Sequence, residues 1–319
     1  MKKGKLCIVV PCYNEQQVLP KSEPIFKKVI ERLIGDHQIT ETSQVVFVDD
    51  GSTDKTWLLI KQYSNEEHVS GLKLSRNFGH QAAIFAGMSA VSDADMVVTI
   101  DSDLQDDPNV IIKMVAKYYE GAQVVYGVRN NRQTDTHFKR ITAKIFYKLM
   151  NCLGVKMIPD AADFRLLSHQ AVTALINYPE RNLFLRGLVP LIGFPSAKVY
   201  YKRTERVAGK SKYPLRKMIN LALDGITSFS IVPIRLIMNL GLLIVLIALI
   251  LLIYTFIQNA KGNTVSGWSS LMISIWALGG VQLICISIIG EYVGKIFKEV
   301  KKRPRYTIER DLYHKNNAD

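Results

Sequence analysis

Three clusters of acidic and small polar residues in this 319-residue chain could do chemistry: PCYNE at 11–15, DDGSTD at 49–54 and DSDLQDDP at 101–108. Each follows a run of aliphatic and β-branched residues, at 6–10, 44–48 and 96–100. After one strand, Asp, Asn, Gly and Pro mean only a turn. DDGSTD equally suits a helix start with Ser52 or Thr53 as cap. Three clusters behind three strands fall on one edge of a parallel sheet, where ligands of open α/β sheets bind. Asp101 and Asp103 are spaced i, i+2, so on extended backbone their carboxylates point the same way. Such hard oxygens suit Mg2+ or Mn2+, and a cation would let an acidic lip accept a diphosphate. Phosphate-cradling glycine loops are missing. No G-x-G-x-x-G follows the first strand, and Gly209-Lys210-Ser211 has Thr204 where a Walker loop needs glycine.

The elements that must position these clusters alternate. Strands are expected at 6–10, 44–48, 72–75, 96–100 and 124–126, with helices near 23–34, 55–63, 81–91, 108–119 and 138–152. This rhythm predicts an α/β fold with a mostly parallel sheet covered by helices on both faces. The chain changes character after residue 230. Residues 236–257 are 22 consecutive uncharged positions and 262–290 are 29 more, each enough to cross a bilayer. Before them, 213–230 places Leu215, Met218, Ile219, Ala222, Ile226 and Phe229 at helical spacing opposite Arg216, Lys217, Asn220 and Asp224. That pattern is read as a helix on a membrane surface, with one packed on the domain as the alternative. The expected units are a domain at 1–212, the amphipathic helix at 213–230, spans at 231–258 and 265–290, and a basic tail at 291–319.

The 41 Lys and Arg exceed the 28 Asp and Glu by 13. Residues 198–217 hold eight Lys or Arg and one Glu, so a net seven of those charges lie beside the first span. Lipid headgroups are therefore a better partner than nucleic acid. The basic flanks place both termini and the domain in the cytoplasm, joined by a helical hairpin with a short outer loop. The N-terminus has too short an apolar run for a signal peptide. Cys7, Cys12, Cys152 and Cys285 form neither a zinc pattern nor a disulfide framework.

PCYNE, DDGSTD and DSDLQDDP, in this order and spacing, resemble the inverting family 2 glycosyltransferases of GT-A fold. ADFRLLS at 162–168, RVAGKSKY at 206–213 and the two spans narrow the likeness to polyprenyl-phosphate glycosyltransferases, which include dolichyl-phosphate mannose synthases and bacterial undecaprenyl-phosphate glucosyltransferases. The resemblance covers essentially the whole chain. It implies transfer of one sugar from a nucleotide sugar, UDP-glucose or a related UDP-hexose, to undecaprenyl phosphate at the cytoplasmic face, for cell-envelope glycosylation. It also implies site residues. Pro11, Tyr13, Glu15 and Asp50 would hold the nucleoside. Asp101 and Asp103 would hold Mg2+ or Mn2+ and the diphosphate, with Gln105 nearby. Arg129 and Arg140 would neutralise phosphates, and Arg206, Ser211 and Lys212 would meet the acceptor phosphate.

Asp163 falls where the family is often given a base. The acceptor is a phosphate monoester, already mostly dianionic at pH 7, so it barely needs deprotonating. Asp163 is therefore expected to orient a basic residue or a sugar hydroxyl. Without the resemblance, a surface ion pair is one alternative for Asp163 and Arg165, and His80 reads as a structural histidine near the site edge. Rival classes are a nucleotide-sugar-binding scaffold without turnover and a channel or transporter component with a nucleotide-binding domain. A GDP-mannose-using mannosyltransferase is the alternative within the class. The sequence leaves the sugar and the oligomeric state open; paired spans offer contact area for a homo-oligomer.

Overall fold

All seven residues of β1 (Leu6–Cys12) are buried, as expected of a strand covered on both faces. In this computed structural model, which describes residues 3–130, 158–159, 161–181, 183–204, 232–260 and 267–316, β1 lies between β2 (Gln44–Asp49) and β4 (Met96–Thr99), parallel to both. Beyond β2 comes β3 (Val69–Leu74), also parallel. Leu6, Ile8 and Val10 pack with Phe26, Phe47, Ile111 and Met114 beneath α1 (Leu19–Gly35), α2 (Thr56–Tyr63) and α4 (Val110–Tyr119). The alternate residues Cys7 and Val9 pack on the other face, against α3 (His80–Ala90), α5 (His169–Ile176) and α6 (Leu185–Leu191). In α3, Gly87 permits close approach to the sheet, since a Cβ there would stand 2.3 Å from Val9 Cγ1.

The sheet has eight strands, ordered β7-β5-β6-β4-β1-β2-β3-β8, with β5 (Val124–Arg129), β6 (Ala161–Ser168), β7 (Ser196–Tyr201) and β8 (Ile308–Asp311). The mostly parallel sheet expected from the sequence is present. The exceptions are β6, antiparallel to β4 and β5, and β8, antiparallel to β3. Neither strand was expected. β6 carries Asp163 and Arg165 among buried neighbours, and β8 reads IERD, so no apolar period marks either.

Two long helices, α7 (Val232–Ala260) and α8 (Trp268–Val300), contact each other. Among the described residues one stretch, Leu278–Val300, is long and apolar enough to cross a membrane by length and composition. The helices expected at 138–152 and 213–230 lie outside the described residues.

The region expected as a basic tail is divided differently. Residues 291–300 complete α8, and 308–311 form β8 on the edge of β3. Lys73 and Glu309 pair across that junction at 2.9 Å. Tyr313, opening α9 (Tyr313–Asn316), is fully buried. Its hydroxyl donates to Asp93 (2.7 Å) and lies 3.6 Å from Cys7 Sγ.

Candidate active site

The first two clusters are stitched into one surface. Asn14 donates its N–H to Ser52 Oγ (2.9 Å) and accepts from the Thr53 amide through Oδ1 (2.9 Å). The Glu15 amide donates to Thr56 Oγ1 (2.9 Å) and the Gln16 amide to Asp54 Oδ2 (3.2 Å). Asp54, rather than Ser52 or Thr53, serves the start of α2, accepting the Thr56 amide at 2.9 Å. Pro11 lies within β1, paired with Val48, and Tyr13 is 39% exposed at the lip.

Asp50 is buried, and its two oxygens accept the amides of Phe78 (2.7 Å) and Gly79 (2.9 Å). Burial lifts its pKa, with those amides opposing. Asp50 therefore fixes the loop that delivers His80 to the site. Gly51 makes this approach possible. It has φ +66°, and a Cβ there would stand 2.3 Å from the Arg76 carbonyl carbon.

The third cluster is a turn. β4 ends at Thr99 and Leu104 has φ +56°. The same-side argument for Asp101 and Asp103, which needs extended backbone, does not apply here. Asp103 Oδ1 accepts the Gln105 amide at 3.1 Å. Thr204, at the end of the chain leaving β7, donates its Oγ1–H to the Leu104 carbonyl (2.7 Å), and Arg203 donates to Gln105 Oε1. Arg206, Ser211 and Lys212 follow shortly in sequence, but they and Arg140 lie outside the described residues. Arg129 forks onto Asp106 with two 2.9 Å hydrogen bonds, and the Tyr201 hydroxyl donates to the same carboxylate (2.6 Å). In this state Arg129 braces the base of the acidic turn.

Asp101 is 37% exposed as a side chain, yet its Oδ1 is sealed and has no hydrogen-bond partner among the described residues. His80 Nε2 stands 3.4 Å from that oxygen and 3.8 Å from Asp163 Oδ2. Burial pushes the Asp101 carboxyl up, against the pull of His80. Among the described residues no three His, Cys, Asp or Glu side chains converge as a closed metal cage. Mg2+ needs no such cage, since one or two carboxylates plus substrate phosphates suffice. A carboxylate oxygen that accepts no hydrogen bond from the described residues, two residues from Asp103, fits that donor set.

Asp163 is no surface ion pair. Its carboxylate, 8% exposed, accepts from Arg165 Nη2 (2.5 Å), Arg186 Nε and Nη2 (3.2 and 3.1 Å) and Gln81 Nε2 (3.4 Å). Burial works against its charge, but Arg186, then His80 and Arg165, outweigh burial and hold the carboxyl well below its usual range. Burial likewise disfavours the His80 imidazolium, yet Asp101 and Asp163 push it up to about 8. The result is an alternating row: Asp101, His80, Asp163, then two guanidiniums. Sequence reasoning placed His80 only at the site edge and did not identify Gln81, Arg186, Asp106 or Tyr201. The one available signal was the Asp163/Arg165 spacing, which on a strand puts both on one face.

The family model for Glycosyl transferase family 2 matches residues 7–175, and that for the GtrB C-terminal hairpin matches 232–296. The uncharacterized glycosyltransferase YkoT of Bacillus subtilis is 53% identical, covering 97% of this chain and 92% of its own. The bactoprenol glucosyl transferase of Shigella phage SfX is 40% identical, covering 96% and 99%. Among solved structures, glucosyl-3-phosphoglycerate synthase from Mycobacterium tuberculosis, in complex with Mn2+, uridine-diphosphate-glucose and phosphoglyceric acid, aligns with TM-score 0.46 and 19% identity over 70% of this chain and 78% of that one.

Proposed function

Because this chain belongs to glycosyl transferase family 2, we propose that it transfers one hexose, with inversion, from a UDP-sugar to undecaprenyl phosphate at the cytoplasmic membrane face. Its α/β domain is of the GT-A fold, and it is a glycosyltransferase. UDP-glucose is the favoured donor, in keeping with the glucosyl transferase named among its relatives. The observation that carries the reading is Asp101, whose Oδ1 has no hydrogen-bond partner among the described residues, two residues from Asp103 and across His80 from Asp163, in a chain whose C-terminal part matches the GtrB C-terminal hairpin model.

The proposed topology has α7 and α8 crossing as a hairpin. At 1.5 Å per residue the 33-residue α8 is about 50 Å long. That exceeds a hydrocarbon core of about 30 Å. Its last turns would then stand outside the bilayer, where Glu299 accepts the Arg181 amide through both oxygens (2.8 Å each).

Within the site, Pro11, Tyr13 and Glu15 would line the nucleoside, and Asp50 would hold the loop behind it. Asp101 and Asp103 would hold Mg2+ or Mn2+, whose charge binds the diphosphate and stabilises it as the leaving group. Gln105 and Arg203 close the turn around that position. Arg129, besides bracing Asp106, and Arg140, Arg206, Ser211 and Lys212 would supply positive charge for the donor and acceptor phosphates. The acceptor oxygen is already ionised, so the protein's task is to bring two anions together in line rather than to remove a proton. Asp163, with its oxygens occupied by guanidiniums, suits orientation better than proton abstraction.

The test uses purified protein with undecaprenyl phosphate, Mg2+ or Mn2+, and a panel of labelled UDP- and GDP-sugars. Label from a UDP-hexose should enter the organic phase, and chelation or joint replacement of Asp101 and Asp103 by Ala should abolish it. Transfer from GDP-mannose alone would reassign the donor. Donor binding without turnover across the panel would make the chain a scaffold and sink the reading.

A further inference from the structure

Leu104 stands in the middle of the acidic turn with φ +56°, the left-handed region that a branched side chain rarely adopts. Such a conformation persists only where its surroundings hold it, and it collects at ligand clamps. Here the holding groups can be named. The Leu104 side chain is buried in the core cluster that includes Val110 and Ile111. Its carbonyl accepts the Thr204 hydroxyl at 2.7 Å. The next carbonyl, of Gln105, accepts the Thr204 amide at 3.0 Å and lies 3.2 Å from the same hydroxyl. Leu104 is pinned between the core and Thr204.

Thr204 has a firm footing. Three residues earlier, Tyr201 is buried, with its hydroxyl on Asp106 (2.6 Å) and its carbonyl accepting the Asn130 amide (3.0 Å). Its ring packs edge-on against Phe164, centre to centre 5.5 Å. Between the two, Arg203 donates to the Gln105 side chain. Residues 201–204 therefore close over the turn as a clasp, with Tyr201 at its base and Thr204 at its tip.

The clasp reaches a proposed metal ligand through one peptide unit. The Leu104 carbonyl that Thr204 holds and the Gln105 amide that donates to Asp103 Oδ1 (3.1 Å) belong to the same peptide. A peptide unit is planar and rigid, so fixing its oxygen also fixes the direction of its N–H. That N–H in turn orients the Asp103 carboxylate.

We propose that Thr204 is a positioning residue for the cation: acting through the 104–105 peptide, its hydroxyl sets the Asp103 carboxylate for the metal that binds the diphosphate. This inference rests on the cation assigned above, and its test separates the two.

Thr204 is exposed, so removing its hydroxyl empties no core site. Wild type, Thr204→Ser and Thr204→Val are compared in detergent for melting temperature and for UDP affinity with Mn2+ and with chelator. Mn2+ affinity in the presence of UDP is read from the free-ion signal in electron paramagnetic resonance. Thr204→Val keeps the shape without the hydroxyl and should weaken Mn2+ binding about 3- to 10-fold, the effect of one hydrogen bond. Its UDP affinity in chelator should stay within about twofold of wild type, since the lost bond acts only through Asp103. Its melting temperature should stay within about 3 °C. Thr204→Ser retains the donor and should hold Mn2+ within about twofold of wild type. Unchanged Mn2+ affinity in the Val variant overturns the inference, as does a Ser variant as weak as Val. Equal losses of UDP affinity with and without metal overturn it too. If the Val variant fails to fold, the same measurements on Thr204→Ala decide by the same criterion. A wild-type protein that binds UDP equally with Mn2+, with Mg2+ and with chelator defeats the cation assignment itself, and the inference with it.

Discussion

Asp163 is built to stay ionised. Three cationic neighbours hold its carboxyl far below the ordinary range, and its oxygens are taken by guanidiniums. A base must accept a proton near neutral pH, and this group would release one instead. Asp163→Asn should therefore lower activity by a similar factor at every pH from 6 to 8. A loss that shrinks as pH rises would identify a general base. Stability follows a definite sign. A carboxyl with a depressed folded pKa contributes stability above its unfolded value, near 3.9, and loses it as pH falls through the folded value. The melting difference between wild type and Asp163→Asn should be widest between about pH 4 and 6.5, narrow as pH rises through the His80 value of about 8, and narrow again below about pH 4. At pH 7 the variant strands Arg165, 4% exposed, without its counter-charge. Breaking a buried pair in this way costs about 3 kcal/mol or more, read as a melting point lower by roughly 5–10 °C.

At the level of loops and strands, the site depends on two close approaches. One is Gly51 against the backbone of Arg76 and Asn77. Gly51→Ala adds strain at positive φ to a 2.3 Å clash with backbone, which cannot swing aside as a side chain would. It should cost about 1–3 kcal/mol and displace the loop that Asp50 anchors. The donor KM should rise while the acceptor KM changes less, a split that steady-state kinetics would reveal. The other approach is the register of β6 on β4. Thr99 pairs with Arg165, and the Thr99 hydroxyl donates to the Asp163 carbonyl (2.7 Å), setting Asp163 beside the turn that holds Asp101. Here the limits of sequence reading become physical. β1, β2 and β4 were legible because strands buried on both faces must be apolar throughout, and the acidic clusters at their ends were legible for the same reason. β6 hides its role because Asp163 and Arg165 pair inside the fold: their spacing announces the pair but not its burial. Arg186 reaches the same carboxylate from 23 residues away, through the placement of α6 alone. His80 carried a partial signal, its position after the loop that Asp50 holds.

For the molecule as a whole, the C-terminal residues decide how the long helices are attached to the sheet. Past the Arg181–Glu299 contact, Arg305 donates to the Tyr178 carbonyl and lies over the Phe85 ring, 4.4 Å from its centre. β8 then covers the edge of β3, and Tyr313 fills the space between Cys7 and Asp93. On the proposed topology this attachment through the residues after α8 holds the site at a set height above the bilayer. Two substitutions separate the height effect from simple stability. Tyr313→Phe keeps the ring and loses one hydrogen bond, about 1 kcal/mol, and should leave turnover nearly intact. Tyr313→Ala empties a fully buried site at about 3–5 kcal/mol, which should release β8 and expose the β3 edge. Assayed below its melting temperature, Tyr313→Ala should lose more turnover with undecaprenyl phosphate in liposomes than with farnesyl phosphate in solution. A fixed geometry matters only when the acceptor cannot come to the site. Equal losses on both acceptors would mean that the strap stabilises the domain without positioning it.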